Sequence, residues 1–154
     1  IREIRTFFDG PVALSGAISY GDAVLAAQAM GADFAYIGTR FIATEEAQAD
    51  PAYKQMIVDS AAKDVVYTNL FTGVAGNYLS KSVEKAGLDP NDLPSADKSA
   101  MNFGSGGDSD KKAWKDIWGC GQGIGAVDAI QSAGDAIARL TEEYEQARRA
   151  LNAA

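Results

Sequence analysis

The order of apolar and polar positions in the first third of the chain predicts two buried strands joined by a helix. Residues 12–15 (Val-Ala-Leu-Ser) and 34–37 (Phe-Ala-Tyr-Ile) are short apolar runs without the alternation of a half-exposed strand. Such runs are typical of parallel strands that are covered on both faces. Between them, apolar residues recur at helical spacing over 20–30, and Gly31 is a stop signal. The pattern therefore predicts a β-α-β unit.

The pattern is looser after residue 44. Ranges 51–63 and 76–86 have helical character, with Pro51 in a first-turn position. Range 65–71 is rich in β-branched and aromatic residues and predicts an extended segment. An irregular loop up to residue 110 and a short helix over 111–118 are expected next. One apolar stripe over 126–151 predicts a final helix.

Composition restricts the possible partners. The chain has 154 residues, is 47% hydrophobic and carries a net charge of −7, which argues against nucleic acid or an anionic membrane surface as a partner. No apolar run approaches the roughly 20 residues that span a bilayer. A single cysteine suits a reducing compartment, so we expect a cytoplasmic protein. The chain contains no histidine, and we predict no metal site.

Small-residue turns follow both predicted parallel strands. Ser15, Gly16 and Ala17 follow the first strand, and Gly38 and Thr39 follow the second. The carboxyl ends of neighbouring parallel strands share one edge, where backbone N–H groups can grip a phosphate. Each turn alone could be an ordinary tight turn. Together they predict the site of a phosphate-bearing cofactor. The next residue, arginine 40, could add charge there or pair with a surface carboxylate.

A glycine-rich segment occupies residues 119–125. Its residues 121–126 fit the dinucleotide fingerprint G-x-G-x-x-A, but no buried strand precedes them, which disfavours a dinucleotide site. We predict a flexible loop that crosses a barrel mouth. The side-chain amide of Gln122 would form a hydrogen bond with a cofactor ring or a ribityl hydroxyl. A simple linker between helices stays open as the alternative. Cys120 has no histidine to activate it and is interpreted as a small packing residue.

Several of these segments resemble the flavin-binding half of the nitronate monooxygenase family, also called 2-nitropropane dioxygenases. They are residues 14–18 (LSGAI), 31–33 (GAD), 36–46 (YIGTRFIATEE), 71–73 (FTG) and 118–123 (WGCGQG). The resemblance covers nearly the whole chain. It implies an α/β fold, a TIM (β/α)8 barrel that binds FMN, with this chain as its carboxyl-terminal portion plus a helical appendage. The implied activity is oxidation of alkyl nitronates by dioxygen to a carbonyl compound and nitrite.

The resemblance also implies the cofactor contacts. The FMN phosphate would rest on the two turns, with Gly121 and Gln122 near the flavin; the contacts on the turns are Ser15, Gly16, Ala17, Tyr36, Ile37, Gly38 and Thr39. The family usually has Gly-Gly where this chain has Gly16 and Ala17. The methyl group of Ala17 restricts the backbone conformations that are allowed at this position. The usual catalytic base is a histidine in the earlier half of the barrel. This chain has none, so no catalytic residue is assigned.

Two parallel strands alone leave unpaired edges and little core. We therefore expect an amino-terminal half of the barrel beyond this sequence, and a small-molecule substrate and possible homo-oligomer as further partners. The predicted division is 1–50 for the last βα units, 51–118 for the appendage, and 119–154 for the flavin-side loop and final helix. Two alternatives stay open: an NAD(P)H-linked enoyl-thioester or quinone reductase on the same scaffold, and a non-catalytic half-barrel partner subunit.

Overall fold

The computed structural model describes residues 1–95 and 116–153. The elements in chain order are β1 (Ala13–Ser15), α1 (Gly21–Ala29), β2 (Phe34–Tyr36), α2 (Thr39–Ile42), α3 (Pro51–Val58), β3 (Val65–Thr68), β4 (Gly76–Leu79), α4 (Ser80–Lys85) and α5 (Ala133–Asn152). Short 3₁₀ helices occupy Ile4–Thr6, Ala62–Asp64 and Gln122–Ala126. The helix predicted over 111–118 and most of the loop predicted before it lie outside the described residues.

The predicted β-α-β unit is present. β1 and β2 pair in parallel, and Ser15 stands opposite Tyr36 at the last position of the register. Gly31 follows α1 with a φ of +95°, a left-handed conformation that suits glycine and ends the helix. Leu14 and Ala35 pack against the apolar cluster beneath α1, which contains Ile18, Ala27 and Ala32.

The prediction that both faces of these strands are buried is wrong for the described part of the chain. Side chains alternate along a strand, and α1 covers only the face that carries Leu14 and Ala35. On the opposite face Phe34 is 61% exposed and Tyr36 is 67% exposed. The sheet therefore presents an open apolar surface.

The middle of the chain combines a helix with an antiparallel hairpin. Pro51 begins α3 as predicted, and the Asp50 side chain caps it by accepting a hydrogen bond from the Ala52 N–H at 2.7 Å. α3 ends at Val58, before the predicted 63. β3 lies in the predicted extended segment and pairs with β4. The helix predicted over 76–86 is wrong for its first four residues, whose backbone pairs with β3 instead.

The final helix begins at Ala133, seven positions later than predicted. Its first turn is capped twice, which fixes this start. The Ser132 side chain accepts a hydrogen bond from the Asp135 N–H at 3.0 Å. The Glu46 carboxylate accepts one from the Ala133 N–H at 2.8 Å. Capping groups satisfy N–H groups that have no partner within the helix.

A second apolar cluster joins distant parts of the chain. Its buried members are Ala43, Met56, Ile57, Leu79, Ile124 and Val127. These residues come from all three predicted divisions, and the division itself stays a prediction. Across residues 1–95 and 116–153 no helix is long and apolar enough to cross a membrane. The α/β class is confirmed, and the described strands do not close a barrel.

Candidate cofactor-binding site

The two predicted turns lie side by side. Because Ser15 pairs with Tyr36, the turns that follow both strands start at the same edge of the sheet. In the first turn, Gly16 has a φ of +111° and Ala17 a φ of +54°. The left-handed region costs a residue with a Cβ about 1 kcal/mol or more. Ala17, itself a predicted phosphate contact, is thus a strained position, and strained backbone often marks functional sites.

Several backbone donors at these turns are uncommitted. The N–H groups of Ala17, Gly38 and Thr39 donate no hydrogen bond to any described residue. A Cβ built at Gly16 or Gly38 would meet no described atom within 4 Å beyond its chain neighbours. The space in front of both glycines is therefore open to a ligand. Uncommitted amides beside open space are what an anion site requires.

The structure brings Thr39 together with Gly121. Thr39 is buried, and its Oγ1 accepts a hydrogen bond from the Gly121 N–H at 2.7 Å. That bond occupies an acceptor site of the hydroxyl, whose own proton remains available for donation. Gln122 follows Gly121 and is exposed beside the second turn. Four of the predicted contacts, Gly38, Thr39, Gly121 and Gln122, thus form one neighbourhood.

The glycine-rich segment is anchored at several points, and its predicted flexibility stays a prediction. The Cys120 N–H donates to the Asn77 carbonyl at 3.1 Å, and Gly119 forms a bridge with Tyr78. Ile124 is fully buried in the second apolar cluster. Residues 122–126 form a 3₁₀ helix rather than the long helix of a dinucleotide-binding motif. Backbone pairing to β4 and the burial of Ile124 hold this segment in place.

Gly123 allows the glycine-rich segment to lie very close to the first turn. A Cβ at Gly123 would lie 2.4 Å from the Ser19 Oγ and 2.8 Å from the Ala17 carbonyl oxygen. Only a glycine allows this approach. The carboxyl-terminal segment therefore packs directly on the loop that follows β1.

Arg40 is buried and bonds backbone carbonyls, which excludes one of its two predicted alternatives, pairing with a surface carboxylate. The residue is 2% exposed. Its Nε donates to the Ser19 carbonyl at 2.9 Å, and its Nη2 donates to the Ala126 carbonyl at 3.0 Å. Burial lowers the pKa of Arg40 from its usual value, yet a guanidinium stays charged at neutral pH. The sequence pattern carried no signal of these two contacts, because both acceptors are backbone atoms.

Three predicted contacts remain, Ser15, Tyr36 and Ile37, and they differ in whether the side chain is exposed. Tyr36 projects from the open face of the sheet, and Ser15 is exposed on the same face. The Ile37 side chain packs on the cluster beneath α1. Only the backbone of Ile37 is therefore placed to meet a ligand at the turn.

An aromatic cavity adjoins the glycine-rich segment. Tyr53 stacks on Trp118 with 5.1 Å between ring centroids, and Phe71 meets Tyr78 edge-on at 4.9 Å. The cavity has a volume of about 270 Å³, and Gly119 forms part of its wall. The Tyr53 hydroxyl donates to the Gly119 carbonyl, which fixes the ring against the segment.

Two partly buried titratable groups near this cavity, Cys120 and Tyr53, are not activated. Burial raises the pKa of Cys120 to about 11. Burial, with a smaller contribution from Cys120, raises the pKa of Tyr53 to about 12. Both groups are protonated at neutral pH, in agreement with the interpretation of Cys120 as a packing residue. The described residues contain no group of three or more acidic, cysteine or histidine side chains that could hold a metal.

The profile of the nitronate monooxygenase family matches residues 1–143. The chain belongs to this family. The resemblance predicted from the sequence is confirmed. A nitronate monooxygenase from Paraburkholderia phytofirmans is 32% identical over 80 residues, which cover 52% of this chain and 22% of that protein. A putative monooxygenase from Mycobacterium tuberculosis is 26% identical over 145 residues, 87% of this chain and 39% of the relative.

Solved structures share the fold of this nitronate monooxygenase family member. Nitroalkane oxidase from Streptomyces ansochromogenes is 30% identical, with a TM-score of 0.70 over 97% of this chain and 43% of that one. A FabK variant from Thermotoga maritima is 24% identical, with a TM-score of 0.69 over 98% of this chain and 46% of that one. At 24% identity the likeness shows the fold alone. The chain spans less than half the length of each of these relatives.

Proposed function

We propose that this chain carries the phosphate-binding end of an FMN site in a flavin-dependent oxidoreductase. The observation that carries the proposal is the set of uncommitted N–H groups at Ala17, Gly38 and Thr39, on two adjacent strand ends. FMN ends in a phosphate dianion, which backbone donors at such an edge suit well. Family membership supports the same cofactor.

The residues present fit FMN. The phosphate would be held by Gly16, Ala17, Gly38 and Thr39, with the glycines leaving room for close approach. Ser15, Tyr36 and Ile37 would flank it, and Gly121 and Gln122 would meet the rest of the cofactor. When bound, FMN supplies the electron-transfer chemistry, while the protein binds and orients it. The buried Arg40 guanidinium adds positive charge in a chain whose net charge is −7.

We further propose that the chain is the carboxyl-terminal portion of a TIM barrel. A lone pair of parallel strands is not a stable sheet, and one face of this pair is open. The solved structures match almost all of this chain, whereas the chain covers less than half of theirs. The remaining strands would pair with the free edges of β1 and β2 and cover the open face.

The substrate we propose is an alkyl nitronate, oxidised with dioxygen to a carbonyl compound and nitrite. The family and the similarity to a nitroalkane oxidase support this substrate class. A nitronate is already an anion, whereas a neutral nitroalkane must first lose its α-proton to a base. The resemblance places the base for that step in the earlier half of the barrel, and the partly buried Cys120 and Tyr53 of this chain are held protonated.

The experiment combines cofactor binding with turnover. We expect the purified protein to bind FMN more tightly than riboflavin, which lacks the phosphate, and to consume oxygen when an alkyl nitronate is added. NADH and NADPH should give no comparable oxidation. Rapid oxidation of NADH or NADPH with a quinone or enoyl thioester would instead indicate a reductase. Equal affinity for FMN and riboflavin would overturn the phosphate site.

A further inference from the structure

Two neighbouring residues hold both ends of the segment that carries Gln122. At its start, the Thr39 Oγ1 accepts a hydrogen bond from the Gly121 N–H at 2.7 Å. At its end, the Arg40 Nη2 donates to the Ala126 carbonyl at 3.0 Å. Thr39 and Arg40 are the first two residues of α2, directly after Gly38 of the second turn. The position of Gln122 is therefore set by the same turn that we propose for the phosphate.

The same guanidinium also reaches the loop after β1. The Arg40 Nε donates to the Ser19 carbonyl at 2.9 Å, two residues beyond Ala17. Gly123 packs against this loop so closely that a Cβ there would overlap the Ser19 side chain. One buried side chain thus joins the first turn, the second turn and the glycine-rich segment.

The charge of Arg40 has no direct counterion in the described chain. Asp128 and Glu143 act on it electrostatically, but both carboxylates form their close ion pairs with Arg139. Burying a cation without a contact partner is unfavourable. A dianionic group at the adjoining turns would offset that cost.

We propose that Arg40 is a positioning residue that couples the phosphate turns to the Gln122 segment and makes the site select a phosphorylated flavin. This inference rests on the proposed FMN site. A guanidinium presents several N–H donors in a fixed fork and can reach two carbonyls at once. The compact ammonium of lysine keeps the charge but cannot reproduce that fork. Charge and geometry can therefore be separated by substitution.

The test compares the dissociation constants of FMN and riboflavin for the wild type, Arg40→Lys and Arg40→Met. In Arg40→Met we expect FMN affinity to fall by about tenfold or more, as for loss of a charged interaction, with a smaller fall for riboflavin. Arg40→Lys should keep part of the preference for FMN. Both variants should change the absorption spectrum of bound flavin, because Gln122 is no longer held at both ends. Thermal unfolding without flavin shows whether each variant is folded.

Arg5→Met is the matched control. Arg5 also binds backbone carbonyls, those of Gly10 and Gly31, but at the amino ends of the same two strands. It should lower stability while leaving the preference for FMN unchanged. A parallel loss of FMN and riboflavin affinity in the Arg40 variants, or an unchanged preference, would overturn the role of Arg40 alone. A wild type without any preference for FMN would overturn the proposed site as well.

Discussion

Gly21 lies where helices α1 and α5 touch. Because glycine has no Cβ, the backbones of the two helices can pack directly against each other there. A Cβ at this position would lie 2.2 Å from the Leu140 carbonyl oxygen and 2.3 Å from the Tyr144 backbone nitrogen. Both neighbours are backbone atoms and cannot rotate away. The Gly21 N–H also donates to the Glu143 carboxylate at 2.8 Å, so the two helices are joined by a hydrogen bond as well.

We expect Gly21→Ala to destabilise the protein by about 3 kcal/mol, because the added methyl group forces α1 and α5 apart. Urea unfolding followed by circular dichroism measures the change. Gly134→Ala is the control, since a Cβ there would meet nothing closer than 3.6 Å. That substitution should be neutral or stabilising in a helix. Equal effects of the two substitutions would contradict the packing argument.

The raised pKa of the Cys120 thiol predicts how its alkylation rate depends on pH. Burial raises its pKa to about 11, and only the thiolate reacts with alkylating reagents. At pH 8 we expect the folded protein to react with iodoacetamide about a hundredfold more slowly than a free cysteine, whose pKa is about 8.5. The rate should rise about tenfold for each pH unit up to the raised pKa. Urea-unfolded protein is the control, and fast alkylation of folded protein at pH 8 would refute the prediction.

At the scale of elements, local patterns predicted the β-α-β unit well and the later elements less well. The two apolar runs and the Gly31 stop are short-range signals, and β1, α1 and β2 follow them. The strand β4 was missed because its backbone pairs with β3, a partner that a helical spacing pattern does not reveal. The 3₁₀ helix over Gln122–Ala126 was missed for the same reason, since Ile124 is buried against distant residues.

The start of α5 depends on a contact across the chain. The Glu46 carboxylate accepts a hydrogen bond from the Ala133 N–H, 87 positions away, at 2.8 Å. We expect Glu46→Ala to lower the free energy of unfolding by about 1 kcal/mol through loss of this cap. Glu45→Ala is the control, because the Glu45 carboxylate forms no hydrogen bond with a described residue. Equal losses in urea unfolding for both variants would exclude a capping role.

At the scale of the whole molecule, one face of the parallel sheet is left uncovered by the described residues. Phe34 and Tyr36 are 61% and 67% exposed on adjacent positions of this face. Exposed apolar patches and free strand edges favour association with another chain. The proposed remainder of the barrel would cover both. The shared fold with structures more than twice as long is consistent with such a cover.

We expect the chain on its own to self-associate through this face, and Phe34→Ser to shift it toward monomer. Sedimentation velocity at several concentrations measures the distribution. Phe7→Ser is the control, because Phe7 is 77% exposed but lies outside the sheet. A wild type that stays monomeric at every concentration would show that the open face does not drive association.

The sequence by itself determined the family, the β-α-β unit and the two turns that we propose for FMN, because each depends on residues that are close in the chain. Short apolar runs, helical spacing and small residues after strands are local features. Only the tertiary structure decided where residues 119–126 lie, that Arg40 is buried, and that the sheet has one open face. These properties arise from hydrogen bonds and packing between segments about 20 to 90 positions apart, as in the bonds of Arg40 to Ser19 and Ala126. The acceptors of those hydrogen bonds are backbone carbonyls. Every residue has a backbone carbonyl, so the pattern of side chains in the sequence does not predict such bonds.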